Sequence, residues 1–314
     1  MIRNLTMQVD TAEAGLRLDR FLALRVPNAS RTMILEALTE GHIRVEGRRA
    51  AKGRKMLPGE VVNVEQLQET SDRTVLADPS VALDIVYEDA DLIVLNKPAG
   101  MAVHPLKSDE TGTLANGLLA RHPSLAEIGS DPLFPALIHR IDTDTSGLVI
   151  AAKTQSAYAH LRQQFREQRV TKIYTALVHG AITESGTLEG YLTHQDGPYC
   201  KMQVLKDFAD PSRADTFKAI THYKPIRQFP KFTLLEIDIP TGVTHQIRCQ
   251  LADAGYPIVG DRVYGKRTPI DQAAPRHFLH AEKLELRHPT SLRIVAFQAP
   301  LPPDLTALLR LEML

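Results

Sequence analysis

Between Leu137 and Lys153 the chain reads LIHRIDTDTSGLVIAAK: an apolar stretch breaks at His139-Arg140, passes through six small or acidic residues and resumes as an apolar run. A carboxylate at the end of such a strand, two residues from an Arg, is placed to stay ionised while partly buried. Strand ends that open into polar loops are where chemistry often sits, and Asp142 is the candidate. The bland reading is a β-hairpin with a long polar connection, since Asp and Thr form turns readily and Gly147 can close one at positive φ. Asp142 and Asp144 also spell Asp-x-Asp, which in enzymes acting on nucleotides would hold Mg²⁺, but no Gly-rich phosphate cradle or third carboxylate accompanies it. His277 and His280 stand three apart, yet histidines in strand or core positions are more often hydrogen-bonded than zinc-bound. No metal site is expected.

The elements that must hold these residues follow from the rest of the chain. At 314 residues, 43% hydrophobic and 24% charged, it can bury a proper core as one large domain with a small companion. No run is apolar enough for a membrane span and the first residues lack a signal-peptide core, so a cytoplasmic location and no membrane partner are expected. Two cysteines, Cys200 and Cys249, are too few for a disulfide framework and fit a reducing compartment.

The formal net charge is zero, yet its distribution is uneven. Residues 1–66 carry eleven Lys or Arg against eight Asp or Glu, and His42–Met56 alone holds six basic residues and one acidic one. Upstream, LRLDRFLALRV has helical apolar spacing ended by Pro27-Asn28. Ser30 caps a second short helix through Glu40, stopped by Gly41. HIRVEG and EVVNVE then read as strands around a basic loop. We therefore expect a strand or extension over 1–14, a compact module over 15–66, a polar linker over 67–79 and a large domain over 80–314.

The large domain alternates short β-rich stretches (DLIVLNK, ALIHRI, GLVIAAK, KIYTALVHG, DTFKAITHYKPI, KFTLLEIDI, LRIVAFQA) with few helices. The strongest helix is TQSAYAHLRQQFREQ, with Ala157, Leu161 and Phe165 on one face. Another spans THQIRCQLADAG and ends at Gly255. Without regular βαβ alternation the class is α+β, with a mainly antiparallel sheet and a small N-terminal α-β module.

Two resemblances then add to this reading. ASRTMILEALTEGHIRVEGRRAAKGRKMLPGEVVNV is similar to the RNA-binding module of the ribosomal-protein-S4-like family. That likeness implies phosphate contacts from Arg31, Arg44, Arg48, Arg49, Lys52 and Lys55, which position RNA without specifying sequence. HRIDTDTSGLVIAAK resembles the signature of the RluA-type pseudouridine synthases. VYEDADLIVLNKPAGMAVHP, VTKIYTALVHG, THQIRCQLADAGYPIVGDRVYG and HFLHAEKLELRHP with AFQAPLPPDL follow in that family's order, so the likeness covers nearly the whole chain. It implies isomerisation of a uridine in structured RNA, with large-subunit (23S) ribosomal RNA favoured over transfer RNA. Asp142 matches the catalytic Asp, by a nucleophilic or a glycal route. Tyr174 matches the residue that stacks on uracil and helps proton transfer, and Arg248 the Arg that pairs with the Asp. Arg140 matches the residue that enters the stack where the target is flipped out, and Ile247 the apolar contact to that base. No cofactor is implied, because isomerisation moves no electrons, and a monomer is the default. The chain departs from the pattern at Val243, where Arg is usual, at Gln250, near a common His, and in a missing Thr-Gly turn in HPTSLRIVAF. These departures suggest altered substrate choice. The competing reading is a non-catalytic RNA-binding ribosome-assembly factor, which would have no need of the acid, phenol and guanidinium together.

Overall fold

The computed structural model describes residues 3–67, 73–195, 201–205 and 216–311, so Cys200 and residues 68–72 of the expected linker lie outside the described residues. The chain forms two compact units: Met1–Leu76 with the short segments Leu106–Glu110 and Ser130–Leu133, and the remainder from Ala77 onward. Arg73 pairs with Glu36 of the first unit at 3.1 Å, and the Asp78 N–H donates to the Asn116 carbonyl of the second. No helix among the described residues is long and apolar enough to cross a membrane.

In the first unit, β1 (Arg3–Gln8) is followed by α1 (Leu18–Arg25), α2 (Arg31–Glu40), β2 (Ile43–Val45), β3 (Arg48–Arg49) and β4 (Val61–Leu67). The strands make one antiparallel sheet in the order β1-β4-β2-β3. Ser30 Oγ accepts the Met33 N–H at the start of α2, and Gly41 closes that helix at φ 84°. Alternation along β2 and β4 sends Ile43, Val45, Val62 and Val64 inward against Phe21, Leu22 and Ile34. Each of these large side chains contributes about 2 kcal/mol of burial.

The second unit carries β5 (Ile85–Glu88), β6 (Leu92–Lys97), α3 (Leu114–Arg121), β7 (Ser146–Ala152), α4 (Gln155–Arg166), β8 (Thr171–His179), β9 (Gly186–His194), β10 (Met202–Val204), β11 (Thr216–Gln228) and β12 (Phe232–Asp238). It continues with α5 (Gln246–Asp253), α6 (Pro269–Ala273), β13 (Leu279–Arg287), β14 (Ile294–Gln298) and α7 (Pro303–Leu311). The ten strands run in the order β10-β9-β11-β12-β8-β13-β7-β6-β5, with β14 beside β13, and every pair is antiparallel except β7 with β13. This is the expected α+β class. α4 packs on β7, while α5 packs on β9, β10 and β11.

Three expectations need correction. ALIHRI is not a strand: it meets β7 through one bridge, Leu137 to Ala151, and the Ile138 N–H to the Ile150 carbonyl. Ala136 sits at φ 60°, and the Ile150 N–H is answered by the His139 ring rather than by a carbonyl, so the ladder stops there. In this unit strands β5, β9, β10 and β13 and helices α3, α6 and α7 were not anticipated. On α4 the third deeply buried residue is Gln164, whose amide bridges to the Arg287 backbone, while Phe165 is only partly covered.

Gly147 determines how close the sheet can bring its parts. In β7 it lies opposite Ala281 of β13, at φ 118°, and a Cβ there would stand 2.2 Å from the Ala281 carbonyl oxygen. Gly100 also has positive φ, 82°, but nothing lies within 4 Å of its missing Cβ. Gly147→Ala should therefore lower unfolding free energy by about 3 kcal/mol or more, and Gly100→Ala by about 1 kcal/mol. Parallel urea denaturation of the two variants checks this; equal losses would refute the close-approach argument.

Candidate active site

Asp142 stands where the chain turns into β7. The Thr145 N–H donates to the Asp142 carbonyl at 3.1 Å, which closes the turn. Buried polar groups hold this turn from below. Lys97, fully buried, donates its ammonium to the carbonyls of Pro98, Met101 and Thr143 at 2.7–2.9 Å. Three carbonyls match the three donors of an ammonium, although burial and the charge of Arg276 pull Lys97 down to about 7. Arg276 donates to the Asp144 carbonyl at 3.0 Å and to Ser146 Oγ at 2.9 Å, and is itself held by Asp304. Ser146 is then left to donate to His280 Nδ1 at 2.9 Å, so His280 Nε2 carries the proton that meets the Ala299 carbonyl. His277 Nε2 bonds Thr145 Oγ1 at 2.8 Å, and burial pushes His277 down to about 4. The two histidines brace the turn, and both nitrogens of His280 are occupied within the protein.

The same test applies to Asp89, Asp91 and His288, three side chains close enough to share an ion. His288 Nδ1 accepts the N–H groups of Thr290 and Ser291, so its proton is on Nε2, which donates to Asp89 at 2.7 Å. A protonated nitrogen cannot ligate, and these residues form a structural clamp.

Arg248 comes to Asp142 from α5. The start of this helix is seated by Gln246, whose amide oxygen accepts from Thr241 Oγ1 and the Val243 N–H and whose nitrogen donates to the Ile220 carbonyl and Thr221 Oγ1. Lys172 donates to the carbonyls of Pro240 and Thr241. Arg248 Nη1 then donates to Asp142 Oδ2 at 2.8 Å, while Nε and Nη2 grip both oxygens of Asp261 at 2.7 and 3.1 Å. Asp261 also accepts the N–H groups of Val263 and Tyr264. Side-chain exposure rises along the chain of charges, from none at Asp261 to 7% at Arg248 and 20% at Asp142. Burial opposes the charge of Arg248, but Asp261 and then Asp142 outweigh it and raise the guanidinium above its ordinary value. Burial likewise opposes ionisation of Asp261, and Arg248 with the two backbone donors more than reverses that.

With Oδ2 so engaged, Oδ1 of Asp142 has no hydrogen-bond partner among the described residues. It is the oxygen available to a substrate. Tyr174, 7% exposed, lies on β8 opposite Ala281, which itself pairs with Gly147, so phenol, methyl and hydrogen form one row beside the Asp142 turn. Burial, then the charge of Asp142, raises the phenol, so at neutral pH it is an uncharged O–H. Ile247 is buried next to Arg248 on α5. Arg140 is exposed, with Nη1 3.5 Å from His104 Nε2, and His104 packs edge-on against Phe134. The structure thus joins Asp142 to Arg248 by a direct ion pair and couples Tyr174 to Asp142 electrostatically. Arg31, Arg44, Arg48, Arg49, Lys52 and Lys55 belong to the first unit, where all six are exposed.

Three residues around the Arg248–Asp142 pair went unread in the sequence. Asp261 and Tyr264 lie in the quoted VGDRVYG, and His245 adjoins QIR, but nothing local marks them. His245 takes φ 55° at the start of α5 and brings Nε2 to 3.9 Å from Asp142 Oδ2. Tyr264 Oη accepts the Met202 N–H at 2.7 Å and meets His245 Nδ1 at 3.1 Å, and its ring centroid is 5.4 Å from the Arg248 guanidinium carbon. Burial, with Arg248 opposing the pull of Asp142, lowers His245, so it is a neutral ring.

A model of the RNA pseudouridylate synthase family matches residues 91–253. The chain is 39% identical over 294 residues to the uncharacterized RNA pseudouridine synthase YlyB of Bacillus subtilis, covering 93% of each protein. The chain belongs to the RNA pseudouridylate synthase family. It is 36% identical to the ribosomal large subunit pseudouridine synthase D of Neisseria meningitidis serogroup A, over 95% of this chain and 80% of that protein. The solved structure of human RNA pseudouridylate synthase domain containing 1 superposes with TM-score 0.58 at 26% identity, over 72% of this chain and 87% of that one. The synthase is therefore an isomerase of the RluA type, and its substrate is RNA. Two of its departures from the motif are absorbed in the seat of α5: Val243 packs against the cluster of Leu192, Met202, Ala219 and Cys249, while Gln250 accepts from Thr221 Oγ1 and donates to the carbonyls of Leu188 and Ala219.

The brace under the turn makes the synthase acid-sensitive. A buried His277 whose value falls from 6.5 to about 4 takes up its proton more readily when unfolded, so its stabilising contribution is present above pH 6.5 and is lost as pH falls toward 4. Between pH 7.5 and 5.5 that loss is about 1 kcal/mol. Urea midpoints measured at both values should fall for the wild type and fall less for His277→Gln; identical pH responses would remove His277 from the account.

Proposed function

We propose that the synthase isomerises uridines of large-subunit ribosomal RNA in the cytoplasm, acting as a monomer, with Asp142 as the reacting group. The observation that carries the assignment is the Asp142 carboxylate itself: one oxygen is fixed by Arg248 at 2.8 Å and the other has no hydrogen-bond partner among the described residues. The N1–C1′ bond of the flipped uridine breaks, the uracil turns, C5 bonds to C1′, and the C5 proton leaves while N1 gains one. Asp142 Oδ1 serves this either by attacking C1′ or by taking a sugar proton so that a glycal forms. Arg248 holds Asp142 in place through its hydrogen bond to Oδ2. Tyr174, a neutral phenol, stacks on the uracil and relays the C5 proton through its O–H rather than as a phenolate. Ile247 packs on the flipped base, and Arg140 fills the gap it leaves. The six exposed cations of the first unit grip RNA phosphates. The rRNA target is supported by the ribosomal large subunit synthase D relatives.

The test is a map of pseudouridines, by carbodiimide adducts and primer extension, in total RNA from cells lacking the protein and from cells carrying Asp142→Asn. The same large-subunit sites should vanish in both, and purified Asp142→Asn should lose at least about a thousandfold in kcat. Sites that persist with Asp142→Asn would overturn its role, and sites lost only from transfer RNA would overturn the target.

A further inference from the structure

The loop Asp261–Arg267 has two faces. Its inner face belongs to the site: Asp261 grips Arg248, and the Tyr264 ring lies against the same guanidinium. The loop is wound tightly about that carboxylate. Asp261 Oδ1 accepts the N–H groups of Val263 and Tyr264, the Gly265 N–H returns to the Asp261 carbonyl at 2.9 Å, and a Cβ at Gly265 would stand 2.2 Å from that oxygen. The outer face presents Arg262, Lys266 and Arg267, all exposed. Arg262 spends one donor on the Pro275 carbonyl, which steadies its stem and leaves the others outward. Lys201 joins them, its ammonium 5.4 Å from the Tyr264 ring centroid, with the adjacent Met202 N–H pinned to the Tyr264 hydroxyl.

No carboxylate pairs with any of these four cations among the described residues. Elsewhere in this unit exposed cations do find acids: Lys218 meets Glu189 and Lys283 meets Glu285. Residues 262–270 contain no acid at all, and the two flanking carboxylates are buried and spent, Asp261 on Arg248 and Asp271 on His179, Thr268 and the Gly260 N–H. A merely solvated face needs neither a rigid loop nor an acid-free one. Four like charges on this loop and the strand pinned to it make a positive face that suits a polyanion.

We propose that the Asp261–Arg267 loop, with Lys201, is a phosphate clamp of the second unit, gripping the RNA backbone beside the target uridine. The proposal rests on the reading of RNA as substrate. It gives one loop two duties, holding the RNA strand outside and the catalytic ion pair inside.

The test uses the full-length synthase and a ribosomal RNA transcript that the wild type modifies. In Arg262→Gln/Lys266→Gln/Arg267→Gln, kcat/KM at 0.1 M salt should fall about tenfold or more, with the loss in KM. The plot of log kcat/KM against log salt should be shallower by about 2, as expected for some three lost phosphate contacts. Fluorescence anisotropy on the same RNA should show the same weakening, and Arg262→Lys/Arg267→Lys should stay within about twofold of wild type, since phosphate contact needs charge more than shape. An unchanged salt slope, or a loss confined to kcat, would overturn the clamp while leaving the enzyme intact. A wild type that forms no pseudouridine in any RNA would instead overturn the reading beneath it.

Discussion

The site depends on Arg248 lying between two carboxylates. A guanidinium so deeply buried loses most of its hydration, and a single partner rarely repays that cost. Asp261 takes two of its donors in a fork and is itself held by two backbone N–H groups, so the planar cation has one orientation left. Its third contact then reaches Asp142 Oδ2 and leaves Oδ1 open. Were Asp261 absent, Arg248 could rotate toward solvent and Asp142 with it. An uncompensated buried charge in its place would destabilise the unit by roughly 3–5 kcal/mol. The geometry of the Asp142–Arg248 pair is thus fixed by Asp261 behind it.

The turn that carries Asp142 is held by a comparable device. A six-residue connection of Asp, Thr and Ser would be loose on a protein surface, since each side chain offers the backbone several alternative hydrogen bonds. Here Lys97, Arg276, His277 and His280 rise from beneath and take up the Thr143 and Asp144 carbonyls and the Thr145 and Ser146 hydroxyls. Gly147 then lets β13 approach within the width of a side chain. Polar groups buried under the turn do what an apolar core does elsewhere, and they give up stability in acid as the consequence.

Much of this was legible from local signals, and what was not has identifiable causes. Ser30 and Gly41 bound α2, and Gly255 ends the turn after α5, because capping is a matter of neighbouring residues. Helix α3 was invisible because Asn116 and Gly117 stand in its middle; the structure uses Asn116 to bind Thr113 and needs Gly117 where Val81 would meet a Cβ at 2.7 Å. Strand β9 begins on Gly186, which makes room for the Tyr223 ring from the next strand. Both are cases in which packing overrules propensity. The site divides in the same way. Asp142 announces itself by its own neighbours, and Tyr174 and Arg248 become readable only through family resemblance. Asp261, Tyr264 and His245 acquire meaning from contacts that the fold creates, the Arg248–Asp142 pair alone closing 106 residues of chain.

The departures at Val243 and Gln250 fall into place on this view. Helix α5 has a charged side, fixed by Asp261, and a seat on β9–β11, fixed by packing. A residue on the charged side cannot change without freeing Arg248, whereas a residue in the seat can change so long as its new partners are satisfied. Gln250 meets that condition with three hydrogen bonds to β9 and β11, and Val243 meets it by joining an apolar cluster with Met202 and Tyr264. The cluster also ties β10, and with it Lys201, to the ring that lies on Arg248. An apolar residue before α5 therefore acts on the site indirectly, by setting how firmly the outer strand is held beside it.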